Sequence, residues 1–306
     1  MKDQIIAAGL VLFNPDNIER TTKCIKKIAE QVQDVYIYDN STRKNELALP
    51  TNITYLTEYE NKGIAYALNR IMECAKVDGY EWVLTMDQDS LVPDGMVNDF
   101  QKYINYEEKI GIICPQVIDQ RRAYMNIDMD GDKIEYLQMC ITSASCTSIK
   151  AWECIGKFDE WLFIDLVDNE FCKRLTASGY KILQVKRWIL DQEFGNIIPK
   201  SKKQQKFWIK LSQIIHNQNL AKLSYKKLVS PVRVFYTCRN IIYVNRKMKK
   251  YGPTAYENYN CKGYVGFIIC FIFPSFLRSK QKFKITKAII AGTWSGYRKK
   301  IPPWTV

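Results

Sequence analysis

The chain of 306 residues has a single histidine, His216, which excludes a histidine-built metal centre. Its ten cysteines contain no C-x-x-C pair, and nearly all stand among apolar neighbours, as buried free thiols do. A structural zinc site and a secreted disulfide framework are thereby excluded, and a reducing compartment is expected. No G-x-G-x-x-G follows the first strand-like run and no G-x-x-x-x-G-K-[ST] occurs anywhere, which disfavours dinucleotide-binding and P-loop folds. The opening "MKDQIIAAGLVLFNPD" lacks the basic region, long apolar run and cleavage site of a signal peptide, so a cytoplasmic protein is expected. No uninterrupted apolar stretch reaches the roughly 20 residues of a spanning helix. The nearest, Tyr264 to Leu277, is interrupted by Pro274 and is expected to lie in or under an interface.

Acidic residues are nearly missing from the last third. Residues 201–306 hold 22 Lys and Arg against one acid, Glu257, a balance of +21. The preceding 200 residues hold 23 basic and 31 acidic residues, a balance of −8. The overall +13 therefore hides a mildly acidic body joined to a strongly basic region. Such asymmetry points to a polyanionic partner, either nucleic acid or an anionic membrane surface. Hydrophobic content of 47% and aromatic content of 13% supply an ample core and exclude intrinsic disorder.

What is present is an alternation. "IIAAGLVLF" is a continuous apolar run of the kind found in a parallel strand buried on both faces. Residues 17–32 follow at helical spacing, then "VYIYDNS", the short strand "ITYLTE" and a helix from Gly63 to about Val77. "EWVLTMDQDS", a helix near 94–105 and "IGIICPQ" continue the series. A second block contains a helix expected over Asp165–Leu175, closed by Gly179, and the strand "KILQV". This order predicts an α/β fold with an open, mostly parallel sheet flanked by helices. Basic helices are expected from 201 onward.

In such sheets ligands bind beyond the carboxyl ends of the strands. Polar residues collect there: Asn14 after the first strand, Asp39-Asn40-Ser41 after the second, and Asp87 and Asp89 after the fourth. Carboxylates at the end of a buried strand are costly unless a cation meets them. The ordinary alternative is that Asp87 and Asp89 only cap the following turn.

Taken together, "GLVLFNPD", "VYIYDNST", "NKGIAYALNRIMECA", "GYEWVLTMDQDS", "FDEWLFIDLVDNEFCKRLTASGY" and "SPVRVFYTCRN" resemble the family 2 glycosyltransferases of the bacterial rhamnosyltransferase type. The resemblance implies a GT-A, Rossmann-like catalytic domain over 1–200 and a basic helical region over 201–306 that meets membrane and acceptor. It implies an inverting, metal-dependent transfer of a sugar, best read as L-rhamnose from dTDP-L-rhamnose, onto a lipid-linked glycan. UDP-galactofuranose, UDP-galactose or UDP-glucose is the alternative donor on the same fold. A nucleic-acid-binding protein with a basic tail is the rival from another class.

By the same resemblance Asp39 meets the nucleobase, with Asn14 on the neighbouring loop, and Asn61, Lys62 and Gly63 hold the nucleotide. Asp87 and Asp89 form the D-x-D that serves the ribose and a Mg²⁺ or Mn²⁺ ion. Asp168 corresponds to the catalytic base. Gln192 stands where the family usually presents a histidine ligand, which tilts the metal towards Mg²⁺. Trp161 and Phe163 are candidates to stack on an acceptor sugar, or simply to pack. Asp165 and Glu170 are candidates for acceptor contacts, with an ordinary pairing to Arg174 as the alternative. Arg239 is a candidate phosphate contact or a helix ion pair. His216 reads as a surface or packing residue. The expected setting is the inner face of the cell membrane, with the protein peripheral, an oligomer possible and no nucleic acid bound.

Overall fold

The computed structural model describes residues 5–125, 127, 131, 133–193, 195 and 197–306. Its strands are β1 (Ile6–Leu12), β2 (Val35–Asp39), β3 (Ile53–Thr57), β4 (Trp82–Asp87), β5 (Ile110–Ile118), β6 (Ile134–Leu137), β7 (Ser145–Ser148) and β8 (Lys181–Asp191). They form one sheet in the order β3-β2-β1-β4-β7-β5-β8-β6. β1 runs parallel to both β2 and β4, β2 to β3, and β5 to β8. The short β7 lies antiparallel between β4 and β5, and β6 lies antiparallel on the β8 edge. The expected α/β class with a mostly parallel sheet is what the chain adopts.

Helices cover both faces because alternate strand residues are apolar on both sides. On one face α1 (Ile18–Ala29) and α3 (Met96–Gln101) pack over Ile6, Ala8, Leu10, Ile37 and Leu84. The other face carries α2 (Ile64–Val77), α4 (Ile149–Cys154) and α5 (Val167–Ala177) over Ala7, Tyr36, Val83 and Ile112. α2 approaches β1 so closely that a Cβ on Gly9 would stand 2.3 Å from Ile71 Cγ2. Only glycine fits there, because a side chain would overpack the contact.

The direction reversal that makes the site lies at β1. The chain goes to β2 and β3 on one side, then returns to place β4 on the other. Leu12 is in register with Asp39 and Val11 with Asp87. The end of β1 therefore sits between the two strand-end carboxylates, at the topological switch point where open α/β sheets take ligands.

Beyond β8, β9 (Ile197–Pro199) pairs antiparallel with β10 (Tyr225–Lys227), so a small sheet bridges the expected boundary at residue 200. The C-terminal helices are α6 (Lys202–Ile214), α7 (Gln218–Ala221), α8 (Pro231–Lys247), α9 (Thr254–Glu257), α10 (Tyr264–Phe267), α11 (Phe273–Arg278) and α12 (Lys282–Arg298). Val234, Cys238, Ile241, Phe267 and Ile285 join the same buried cluster as α2 and α5. α10 and α11 are joined through a π-helical turn, Ile268–Ile272, with Pro274 in the first turn of α11. That rod, at about 1.5 Å per residue, is too short for the ~30 Å of a bilayer core. Among the described residues no helix is long and apolar enough to cross a membrane.

Candidate active site

Each strand end is fixed by its own polar contacts. Asp39 is buried: Oδ1 accepts from the Ser41 amide at 2.8 Å, while Oδ2 accepts from Asn45 Nδ2 at 2.6 Å and from the Tyr55 hydroxyl. The Asn14 amide donates to Ser41 Oγ at 2.7 Å, joining the β1 loop to the β2 loop. Asn40 reaches the other way, donating from Nδ2 to the Gly63 carbonyl at 3.2 Å and accepting from the Lys62 amide at 3.1 Å. Asn61 Oδ1 accepts from the Gly63 amide at 3.0 Å. Residues 61–63 are thus held against the β2 end, just ahead of α2. The Lys62 ammonium faces Glu58 and Glu60, each at 3.2 Å.

At the β4 end Asp87 accepts from Gln192 Nε2, which ties β4 to the residue following β8. The Asp87 amide also donates to Ser143 Oγ at 3.3 Å. Burial of the Asp87 carboxyl, reinforced by the nearby Asp89 and Asp168 and opposed by the Gln192 bond, pushes its pKa up to about 7. Asp89 is exposed, and its backbone carbonyl accepts from Arg20 Nε at 2.7 Å. Asp168 lies in the first turn of α5, where the Asn169 amide donates to its Oδ1 at 2.9 Å. Burial pushes its pKa up to about 6. Asp87, Asp89 and Asp168 therefore share one electrostatic environment, and among the described residues none of them has a Lys or Arg ion-pair partner.

Two orphan atoms mark the same place. Among the described residues three buried side-chain oxygens lack any partner, and two of them are Ser90 Oγ and Gln192 Oε1. With Nε2 committed to Asp87, the Gln192 carbonyl oxygen is left buried and unsatisfied beside that carboxylate. Buried polar atoms of this kind call for a missing partner. No preformed cage of three or more His, Cys, Asp or Glu occurs among the described residues. The donor set here is instead carboxylate and amide oxygen, suited to a hard divalent cation that takes its remaining ligands from phosphate and water.

Residues 11–145 match the family model described as Glycosyl transferase family 2. That stretch, a little under half of the chain, is similar to the family 2 glycosyltransferases. The dTDP-rhamnosyl transferase RfbF of Shigella flexneri is 27% identical over 260 residues, which cover 79% of this chain and 80% of that protein. Two solved structures align at TM-score 0.46 and 12% identity over 96% of this chain. One is the mannosyltransferase PcManGT from Pyrobaculum calidifontis in complex with GDP-Man and Mn²⁺, covered over 87% of its chain. The other is S. aureus TarS 1-349, covered over 91%.

Asn14, Asp39, Asn61, Lys62, Gly63, Asp87 and Asp89 all fall inside the matched glycosyltransferase domain, and Asp168 and Gln192 complete the cluster from beyond it. Several other expected residues prove to be committed elsewhere. Arg174 is buried, and its guanidinium meets Glu170 at 2.6 and 2.7 Å and donates to the carbonyls of Ile155 and Lys157. Glu170 also takes Lys247 at 2.7 Å. Of the two readings of this pair, acceptor contact or helix ion pair, the geometry is that of the ion pair. Arg239 makes no ion pair among the described residues: it donates to the Trp161 and Leu162 carbonyls and stacks 4.0 Å over the Trp161 ring. Trp161 is itself stacked on Tyr243 at 4.3 Å, which is packing rather than an open sugar platform. Asp165 pairs with Arg233 at 2.5 Å and accepts from Thr237 at 3.3 Å. Tyr55, Asn45 and Ser143 were not singled out from sequence; only their spacing from Asp39 and the D-x-D could have hinted at them.

The raised pKa of Asp168 gives a stability signature with a defined sign. A carboxyl titrating at about 6 when folded and near its ordinary value when unfolded stabilises the fold at low pH, and that stability is lost as pH rises through about 6. In chelator, wild-type stability should fall between about pH 4 and 7, with Asp87 sharing the slope, and Asp168→Asn should reduce that slope and gain on the order of 1–3 kcal/mol at pH 7.5. Denaturant unfolding across that pH range measures it; an unchanged slope in the variant would assign the effect to another group.

Proposed function

We propose that the protein moves a sugar, with inversion, from a nucleoside diphosphate donor to an acceptor hydroxyl, and that the donor is dTDP-L-rhamnose. The observation that carries the reading is the convergence of Asp87, Asp89, Asp168 and the unsatisfied Gln192 oxygen beyond β1, inside and beside a family 2 domain. The 27% identity to a dTDP-rhamnosyl transferase supports the choice of donor. Fold alone does not fix substrate, so UDP-sugars remain the comparison to make.

In this reading Asp39 accepts a hydrogen bond from the pyrimidine ring and the 61–63 turn seats the nucleotide near the start of α2, where the positive end of the helix dipole favours anionic oxygen. Asp89, Asp87 and the Gln192 oxygen would hold Mg²⁺ or Mn²⁺. That ion supplies Lewis-acid neutralisation of the charge left on the diphosphate. Asp168 takes the proton from the acceptor hydroxyl. The acceptor's hydroxyl oxygen forms the new bond to the anomeric carbon, the old bond to the diphosphate oxygen breaks, and the nucleoside diphosphate leaves with that electron pair. A base titrating at about 6 is ionised at neutral pH yet remains a competent proton acceptor. The acceptor is a lipid-linked glycan of cell-surface polysaccharide synthesis.

The region from 201 onward is the surface for that acceptor's membrane, with the protein peripheral on the cytoplasmic face. Phe283 (83% exposed), Ile290, Trp294 and Phe273 are uncovered apolar side chains on α11 and α12, and Lys280, Lys282, Lys284 and Lys287 stand among them. An apolar face ringed by lysine suits an anionic bilayer, each cation adding about 1 kcal/mol near the surface. It is a poorer match to nucleic acid, which offers no apolar phase to these rings.

Two outcomes are expected. On a panel of dTDP- and UDP-sugars one donor turns over; EDTA abolishes it, and Asp89→Asn and Asp168→Asn each lower it by roughly 10²–10⁴-fold. Turnover that survives EDTA and both substitutions would refute the assignment. In vesicle sedimentation the protein co-sediments with anionic but not neutral liposomes, and Phe283→Ser/Trp294→Ser weakens it; equal binding to both, or none, would remove the membrane from the account.

A further inference from the structure

The segment joining the 3₁₀ turn Glu160–Leu162 to α5 is built against its own backbone preferences. Phe163 (φ 56°), Asp165 (φ 67°) and Leu166 (φ 64°) all occupy the left-handed region, and none is glycine. Such conformations persist only where the surroundings over-determine them, and they concentrate at functional sites. Asp168 begins two residues after the last of them.

The surroundings come from α8. Asn240 is 0% exposed, and its Nδ2 lies 2.9 Å from the Leu162 carbonyl, 2.8 Å from that of Ile164 and 2.8 Å from that of Asp165. Its Oδ1 accepts from Arg239 Nε at 2.9 Å, which fixes the amide's orientation so that the NH₂ faces the loop. One side chain thus gathers three carbonyls from four consecutive residues. The Phe163 ring stacks on Tyr236, one helical turn away on α8, at 4.7 Å and 10°. The Phe163 carbonyl, left over from this arrangement, accepts from the Ile64 amide at 2.7 Å, the first N–H of α2. Backbone contact there is so close that a Cβ on Gly63 would stand 2.8 Å from Phe163 Cα.

We propose that Asn240 is a positioning residue for the transfer reaction: by gathering the Leu162, Ile164 and Asp165 carbonyls it sets where Asp168 stands relative to the nucleotide turn at Gly63. The loop touches both halves of the reaction, the α2 start through Phe163 and the α5 start through Leu166. The proposal rests on Asp168 as the base. Asn240 itself touches no substrate.

The test separates positioning from mere support of the fold. Asn240→Ala removes all three contacts, and Asn240→Ser keeps one donor. Both are measured for thermal unfolding, for dTDP affinity and for kcat and KM, beside Asp168→Asn. The expected result is folded variants whose dTDP affinity stays within about twofold, with kcat falling roughly tenfold in the serine and roughly hundredfold in the alanine variant, the scale of a displaced catalytic group. Wild-type kcat in either folded variant overturns the proposal, as does a loss of kcat matched by an equal loss of dTDP affinity. Should the alanine variant not fold, the serine variant decides by the same criteria. Full activity in Asp168→Asn would instead sink the base assignment, and the positioning proposal with it.

Discussion

Everything in this protein is arranged around a repulsion. Asp87, Asp89 and Asp168 come together at the carboxyl edge of the sheet with no Lys or Arg paired to any of them among the described residues, and burial drives two of them towards protonation. A fold selected only for stability would have replaced one carboxylate or paired it, as it does with Glu170 and Arg174 a single helical turn away. In the proposed reading, that uncompensated charge is what a divalent cation would meet. The Gln192 amide is consistent with that logic: it lends its N–H to Asp87 and keeps an oxygen unspent.

The scaffold can tolerate this because the rest of the molecule is over-braced. β1 is buried on both sides between β2 and β4, and its register fixes Asp39 and Asp87 to opposite flanks of one strand end. α8 does the corresponding work for Asp168 from the other side. Lys247 of α8 binds both Asp159 and Glu170, Tyr243 donates to Asp159 at 2.7 Å, and Asn240 holds the intervening backbone. The basic C-terminal region therefore braces the backbone ahead of α5. Its helices bury one side in the shared core and leave Phe273, Phe283, Ile290 and Trp294 open on the other.

The strands of the first half were legible because they are unbroken apolar runs ending in polar residues, and β1, β2, β3, β4 and β5 lie within a few residues of where that pattern puts them. β7 was not legible: Ser145-Cys146-Thr147-Ser148 is small and polar, and only its slot between two buried neighbours makes it a strand. The helix expected from Asp165 starts at Val167 because Asp165 and Leu166 take left-handed backbone that no periodicity reports. The strand-end carboxylates could be read in the sequence since their chemistry is stated by residue type. The fates of Glu170, Arg174 and Arg239 could not, because a buried ion pair and a substrate contact use the same residues and differ only in what stands opposite. The apolar face of α12 was hidden for a similar reason: Phe283, Ile290 and Trp294 are spaced as core residues would be, and only the fold shows them uncovered.

The central claim is that the carboxylates beyond β1 and β4 answer to a divalent cation held jointly with a nucleoside diphosphate. Calorimetric titration of dTDP at pH 8, with Mn²⁺ present and then with the metal chelated, tests it most directly. The account predicts binding that weakens by roughly an order of magnitude or more without metal, and a further loss of metal dependence in Asp89→Asn. Equal dTDP affinity with and without the ion would contradict it, and the strand-end carboxylates would then need another explanation.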